Sequence, residues 1–298
     1  MIVASVDQGT NTTRLLVADV ADGELHELHR EERITGLGEG VDARGRLLPA
    51  PVARVRNTLT DYRRTAERLG AERVLLVATS AVRDAENGEA FLGEVEWSYG
   101  FATALLSGDD EARLMRRGVG ATETGTLLVD IGGGSTELVL DDVHVSLPVG
   151  SVRFTERHGE SIPAILEATT RELPALEPRR AAGVAGTIAT LAALDLGLDE
   201  FAWERVDGHE LTRVAAQAQL ERLVALPLEE RRLVPALNAD RAPVIVAGAA
   251  ILVAILERYG LDTIRVSRRD LLDGAALAAA ELPAPEEGAA PPGAYTCC

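Results

Sequence analysis

The chain has 298 residues, which suits about two domains, and its 46% hydrophobic and 26% charged content is ordinary for a globular protein. Its formal net charge of −17, from 30 basic and 47 acidic residues, disfavours broad binding to nucleic acid or to an anionic membrane, because the long-range field repels polyanions. All 30 basic residues are arginine, which removes the Walker A, protein-kinase and Schiff-base chemistries that need lysine.

In chain order, the N-terminus enters a buried-strand pattern at Ile2–Asp7 with no basic region before it, which argues against a signal peptide and for a cytoplasmic location. No apolar run approaches the roughly 20 residues needed to span a bilayer. Thr13–Val20 reads as the returning strand of a hairpin and Glu24–Ile34 as a third strand. A helical pattern follows at Val52–Leu69, then short apolar strands at Arg73–Ala78 and Phe101–Leu106, each leading into a helix. The order then repeats: a strand at Leu127–Ile131, its return at Thr136–Leu140, a third at His144–Val149 and a helix at Ile162–Leu173. Strands at Gly183–Ala185 and Thr263–Val266 complete it. From residue 283 to 298 the Pro, Glu, Gly and Ala run cannot bury a core and is expected to be a disordered tail, with Cys297 and Cys298 at its end.

The repeat is also visible residue by residue. Val6-Asp7-Gln8-Gly9-Thr10-Asn11-Thr12-Thr13-Arg14-Leu15 aligns without gaps on Val129-Asp130-Ile131-Gly132-Gly133-Gly134-Ser135-Thr136-Glu137-Leu138, at an offset of 123 residues. A duplicated mixed α/β lobe follows, residues 1–122 and 123–282, with the small-residue stretch Ala121–Gly125 at the boundary.

Each motif is a strand ending in Asp-x-Gly followed by small and hydroxylated residues. Glycine lets the backbone approach an anion closely, and concave sets of amides bind phosphate oxygens. Gly9, Thr10, Asn11 and Thr12 in the first turn, and Gly132, Gly133, Gly134 and Ser135 in the second, are therefore candidate phosphate ligands. A lone Asp there would repel phosphate, whereas a hard divalent cation bridges carboxylate to phosphate oxygens. That makes Asp7, Asp130 and Glu137 candidate metal ligands, and the oxygen-only set favours Mg²⁺, with Mn²⁺ as the alternative, over zinc.

Asp7–Arg14 and Asp-Ile-Gly-Gly-Gly-Ser-Thr-Glu at Asp130–Glu137 resemble the exopolyphosphatase/guanosine pentaphosphate phosphohydrolase (Ppx/GppA) family. The segments Ala78–Asn87, Leu106–Leu114, Gly150–Arg153, Ala185–Thr190, Arg241–Gly248 and Val266–Gly274 extend the resemblance over roughly residues 1–280. It implies two duplicated ribonuclease H-like lobes of the actin-like ATPase (sugar kinase/Hsp70/actin) superfamily, with substrate held in an interdomain cleft. It implies Mg²⁺-dependent release of terminal orthophosphate from inorganic polyphosphate, or, as the alternative, hydrolysis of pppGpp. No nucleic-acid or membrane partner is expected, and a homodimer is left open.

The resemblance also assigns roles. Glu111 stands where the family's glutamate before Ala-Arg activates water; from composition alone it would be a solvated carboxylate at a helix start. Arg83, at a strand end, is the first candidate to clamp phosphate through its planar fork. Arg14 and Arg153 are weaker candidates of the same kind, Arg153 because it begins a helix where anions are favoured. Arg113, Arg116 and Arg117 either line a path for a longer phosphate chain or form a solvated face. His144, His158 and His209 lack metal-ligand spacing. Three positions depart from the family pattern: Gln8 replaces an apolar residue, Asp110 a glutamate and Ala185 a glycine. They leave room for a non-catalytic sensor of a phosphorylated signal; a kinase of the same superfamily, holding ATP with glycine-rich loops of the second lobe such as Val184–Thr187 or Val246–Ala249, is a separate alternative.

Overall fold

The computed structural model describes residues 1–283, so the expected tail from residue 284, with Cys297 and Cys298, lies outside the described residues. In chain order the elements are β1 Ile2–Gln8, β2 Thr12–Ala21, β3 Glu24–Ile34, α1 Val41–Arg44, α2 Pro49–Arg68, β4 Arg73–Ala78, α3 Ser80–Arg83, α4 Gly88–Tyr99, β5 Ala102–Leu105 and α5 Gly108–Val119. There follow β6 Thr126–Ile131, β7 Thr136–Leu140, β8 Val143–Leu147, α6 Ser151–His158, α7 Ile162–Glu172, β9 Arg180–Val184, α8 Ala185–Asp195, α9 Trp203–Val206, β10 Glu210–Thr212, α10 Arg213–Ala225, α11 Leu228–Arg231, α12 Ile245–Arg258, β11 Thr263–Val266 and α13 Leu271–Glu281. Among the described residues no helix is long and apolar enough to cross a membrane.

The duplication is plain in the sheets. The first has the order β3-β2-β1-β4-β5 and the second β8-β7-β6-β9-β11-β10. In both, three antiparallel strands come first and two parallel strands join the far side of the initial strand. This is the ribonuclease H-like arrangement, twice. β10, antiparallel to β11, has no counterpart in the first sheet. β9 starts at Arg180, three residues before the apolar signal, because its ladder with β6 extends to the exposed Arg180 opposite Thr126.

The chain divides into two compact units, Met1–Gly120 with the chain from Asp270, and Ala121–Arg269. The expected second lobe, 123–282, is therefore corrected at its C-terminal end: α13 belongs to the first unit. The second unit's core gathers around α12, whose residues Ile245–Leu256 are all buried, as a helix apolar on every face requires. The first unit's core is aliphatic too, with Tyr62 of α2 donating its hydroxyl to the Thr13 carbonyl of β2 at 2.8 Å.

What draws α13 into the first unit is a set of buried polar contacts. Asp270 is its N-cap in a capping box with Asp273, and Asp270 also accepts from Arg14 of β2. Arg30 of β3 donates to Asp273 at 2.8 Å, and Ser5 of β1 donates to the Leu272 carbonyl at 2.8 Å. The other side of α13 meets α5 backbone to backbone: a Cβ at Gly118 would collide with the Asp270 carbonyl, and one at Gly274 with the Leu114 carbonyl. Helix α5, which carries Glu111, is thereby held on α13, and α13 on the sheet. Removing Asp270 leaves Arg14 buried without one of its partners. Asp270→Ala is expected to cost about 3 kcal/mol in urea unfolding, and a change below about 0.5 kcal/mol would reject this account of the docking.

Candidate active site

In the first unit the hairpin turn between β1 and β2 is closed by Gly9 N–H donating to the Thr12 carbonyl at 2.9 Å. Residues 35–38, just after β3, fasten it from one side. Gly38 N–H donates to the Thr10 carbonyl at 2.8 Å, while the amides of Thr35 and Gly36 donate to the Asn11 carbonyl at 3.0 and 2.9 Å. In a planar trans peptide the carbonyl of one residue and the amide of the next point opposite ways. Tying down the Thr10 and Asn11 carbonyls therefore turns the amides of Asn11 and Thr12 to the other side. Gln8 lies fully buried beneath the turn, accepting from Thr13 at 2.9 Å and donating to the Gly9 carbonyl at 3.0 Å. Its polarity is thus satisfied where an apolar residue was the family expectation.

Asp7 and Arg14 face each other across β1 and β2. Arg14 donates through Nε and Nη2 to Asp7 Oδ2, at 2.9 and 2.7 Å, and through Nη1 to Asp270. Burial pushes the Asp7 carboxyl above its ordinary range, Arg14 opposes this, and the charges of Asp270 and Glu32 add to it. Arg14, offered by the sequence as a weaker phosphate clamp, gives its fork to two carboxylates of its own unit, and Asp7, offered as a metal ligand, has that arginine as its partner.

Arg83 and Glu111 come together in the same unit. Strand β4 ends at Ala78, the single turn α3 follows, and Arg83 Nη1 donates to the Leu106 carbonyl at 2.6 Å and to Glu111 Oε1 at 2.5 Å. Glu111 is 3% exposed, so it is no solvated helix-start carboxylate. Asp110 does that job: it forms the capping box of α5 with Ser107, and those hydrogen bonds, with Arg113 beside it, hold its carboxyl below the ordinary range. The shorter side chain at this departure from the family pattern is a working helix cap.

In the second unit the turn between β6 and β7 is fastened by a helix instead of a loop. Ser151 N–H donates to the Gly132 carbonyl at 2.9 Å, and the amides of Val152 and Arg153 to the Gly133 carbonyl at 2.8 and 3.0 Å. Arg153 Nε takes the Gly134 carbonyl at 2.7 Å. By the same peptide geometry the amides of Gly133, Gly134 and Ser135 all face away from α6, forming a three-donor nest. Arg153, offered by the sequence as an anion clamp at a helix start, gives its Nε to the Gly134 carbonyl, and the first-turn amides of α6 bind the turn's other carbonyls.

Directly opposite each other on β6 and β7 stand Asp130 and Glu137. Glu137 is buried and accepts from Ser146 of β8 at 3.0 Å. Facing carboxylates are stabilised by a nearby cation, and their oxygen donors are of the kind a hard divalent ion takes. Among the described residues no group of three or more His, Cys, Asp or Glu is placed to hold a metal by itself. The remaining ligands of such an ion would be water and phosphate oxygens, as Mg²⁺ prefers.

Several residues that shape these sites stand out in no motif: Asp270, Ser146, the anchoring residues 35–38, and Arg241, whose Nη1 donates to the Gly186 carbonyl at 2.7 Å and to Thr190 at 3.0 Å. Only the Gly-rich character of residues 36–40 and the Asp-x-x-Asp capping pattern were available as signals.

A family model of the Ppx/GppA phosphatases matches residues 16–281. The chain belongs to the Ppx/GppA phosphatase family. It is 39% identical to exopolyphosphatase 2 of Mycobacterium tuberculosis, over 93% of this chain and 98% of that protein. To the guanosine-5'-triphosphate,3'-diphosphate pyrophosphatase of Aeromonas hydrophila it is 28% identical, over 92% of this chain but only 58% of that protein. Among solved structures, an exopolyphosphatase-like protein superimposes with a TM-score of 0.86 at 30% identity, covering 93% of this chain and 98% of the other. The Aquifex aeolicus PPX-GPPA enzyme does so with a TM-score of 0.77 at 32% identity, covering 93% and 99%.

Gly150 offers a test of the nest. A Cβ there would overlap the Gly133 carbonyl and displace the turn. Gly150→Ala is expected to weaken tripolyphosphate binding by about tenfold or more in calorimetry, a loss of about 1.4 kcal/mol. Unaltered affinity would mean that the amides of this turn do not hold phosphate.

Proposed function

We propose that this chain is an exopolyphosphatase of the cytoplasm that releases terminal orthophosphate from inorganic polyphosphate with the help of Mg²⁺. The observation that carries the choice of substrate is the near full-length similarity to a protein named exopolyphosphatase 2. Hydrolysis of pppGpp is the second reading, favoured by the similarity to pyrophosphatases of that alarmone, which extend well beyond the matched part.

The roles follow from the chemistry of each side chain. The amides of Gly133, Gly134 and Ser135, with those of Asn11 and Thr12, bind phosphate oxygens. Asp130 and Glu137 hold the cation, directly or through water. When bound, Mg²⁺ neutralises charge on the phosphate oxygens. Glu111 orients the attacking water and accepts its proton, since phosphoryl transfer leaves the protein mostly positioning and electrostatics to supply. Arg83 Nη1 keeps the Glu111 carboxylate aimed, and its fork remains suited to phosphate oxygens. A general base held by a guanidinium depends on that contact for its direction.

Two measurements test this. Glu111→Gln is expected to bind tripolyphosphate as the wild type does while releasing phosphate at least about 100-fold more slowly; a wild-type rate would take Glu111 out of the reaction. Glu137→Gln is expected to raise the Mg²⁺ concentration for half-maximal activity by about tenfold, and an unmoved metal titration would remove the facing carboxylates from the metal site. Phosphate release from polyphosphate and from pppGpp, measured side by side, decides between the two substrates.

A further inference from the structure

The arginines of the first unit are almost all engaged. Arg14, Arg30, Arg33, Arg54, Arg56, Arg63, Arg64, Arg83, Arg113 and Arg117 pair with carboxylates. Arg73 donates to the Ala280 carbonyl, Arg68 to the Thr65 hydroxyl, and Arg116 also has a partner. The α5 arginines, which the sequence offered as a path for a phosphate chain, are thus occupied. Among the described residues of this unit only Arg44 and Arg46 leave their guanidinium groups with neither ion pair nor hydrogen bond, and both are exposed.

Their location is specific. Both lie in residues 35–47, the segment whose first amides fasten the Thr10 and Asn11 carbonyls. The far end of this segment is pinned as well. Asn87 brackets Leu47, accepting from its amide at 2.8 Å and donating to its carbonyl at 3.1 Å, and Glu86 N–H donates to the Gly45 carbonyl at 2.8 Å. The backbone on either side of Arg46 is therefore fixed. Two guanidiniums without counter-ions, on a fixed segment tied to the phosphate turn, suit a substrate bearing one negative charge per repeating unit.

Resting on the exopolyphosphatase reading, we infer that Arg44 and Arg46 form a subsite for the internal phosphates of long polyphosphate, distinct from the groups that hold the terminal residue. A substrate as short as tripolyphosphate does not need it. Because the two residues are exposed and bond to nothing else, replacing them leaves the fold intact, which a thermal melt checks directly. The subsite acts by binding alone and alters no chemical step.

The test is the Arg44→Ala/Arg46→Ala double variant, assayed with tripolyphosphate and with long-chain polyphosphate over a range of ionic strength. KM for the long chain is expected to rise about tenfold and to become less sensitive to salt, as when phosphate contacts are lost. Meanwhile kcat, and KM for tripolyphosphate, should stay at wild-type values. Arg44→Lys/Arg46→Lys should recover part of the loss, because the charge returns without the planar fork. Unchanged long-chain KM, or equal rises for both substrates, overturns the subsite while leaving the activity standing. A wild-type protein that releases no phosphate from either substrate overturns the underlying reading instead.

Discussion

The first unit depends on one buried arrangement: the Arg14 guanidinium lodged between Asp7 and Asp270. Apolar burial brings α13 against the sheet but is indifferent to a slide along it. Charged hydrogen bonds are directional, and breaking one leaves a desolvated charge that costs several kcal/mol. Arg14 therefore sets where the first turn of α13 must sit, and Arg30 repeats the device at Asp273. Burial pushes the Asp273 carboxyl above its ordinary range and Arg30 opposes that shift, so the helix start is tied to β2 and β3 by charges unable to relax into water. From there the constraint passes to α5 through the close approach at Gly118 and Gly274, and so to Glu111.

The two units show how one scaffold takes opposite charges at the same place. Arg14 and Glu137 occupy equivalent positions of the repeat, each facing the strand-end aspartate across an antiparallel pair. Arginine closes the first pair into an internal ion pair. Glutamate makes the second a pair of facing carboxylates, the arrangement proposed above to hold the cation. The turns diverge in the same way: residues 35–38 hold the first and the start of α6 holds the second. Both work by occupying the turn's carbonyls, so that planar peptides present their amides elsewhere. Glycine matters here less for its φ than for the absent Cβ, as at Gly38 against Thr10 and Gly150 against Gly133.

What was legible in the sequence was local. The strand–turn–strand repeat, the third strands and the long helix Pro49–Arg68 follow from apolar periodicity and turn residues, which act over a few positions. The matching sheet orders bear out the duplicated α/β lobes. The long-range partners were not legible. Arg14 sits in a motif that suggests phosphate, yet one of its partners lies 256 residues away, at a helix that periodicity assigns to the other unit. Arg153 lies near a glycine at a helix N-terminus, a pattern that normally favours anions, and in the fold the turn's carbonyls take the first-turn amides and the Arg153 Nε. Gln8 and Asp110 looked like departures because a family pattern records residue types, not hydrogen bonds; both are satisfied where they stand.

A net charge of −17 has the wrong sign to attract a polyanionic substrate, but the long-range field is not what decides capture. At physiological ionic strength the screening length is about 8 Å, so a phosphate chain feels chiefly the groups within one or two side-chain lengths. At that range the backbone amides of the turns count, and so does an arginine without a counter-ion. Arginines paired with glutamate or aspartate add little to the field, because each pair is neutral at a distance, and act on phosphate only by direct contact. Whether a surface attracts phosphate therefore depends on which cations the fold leaves uncompensated. The acidic excess elsewhere then works for selectivity: it keeps polyanions off every face that lacks such a local cluster.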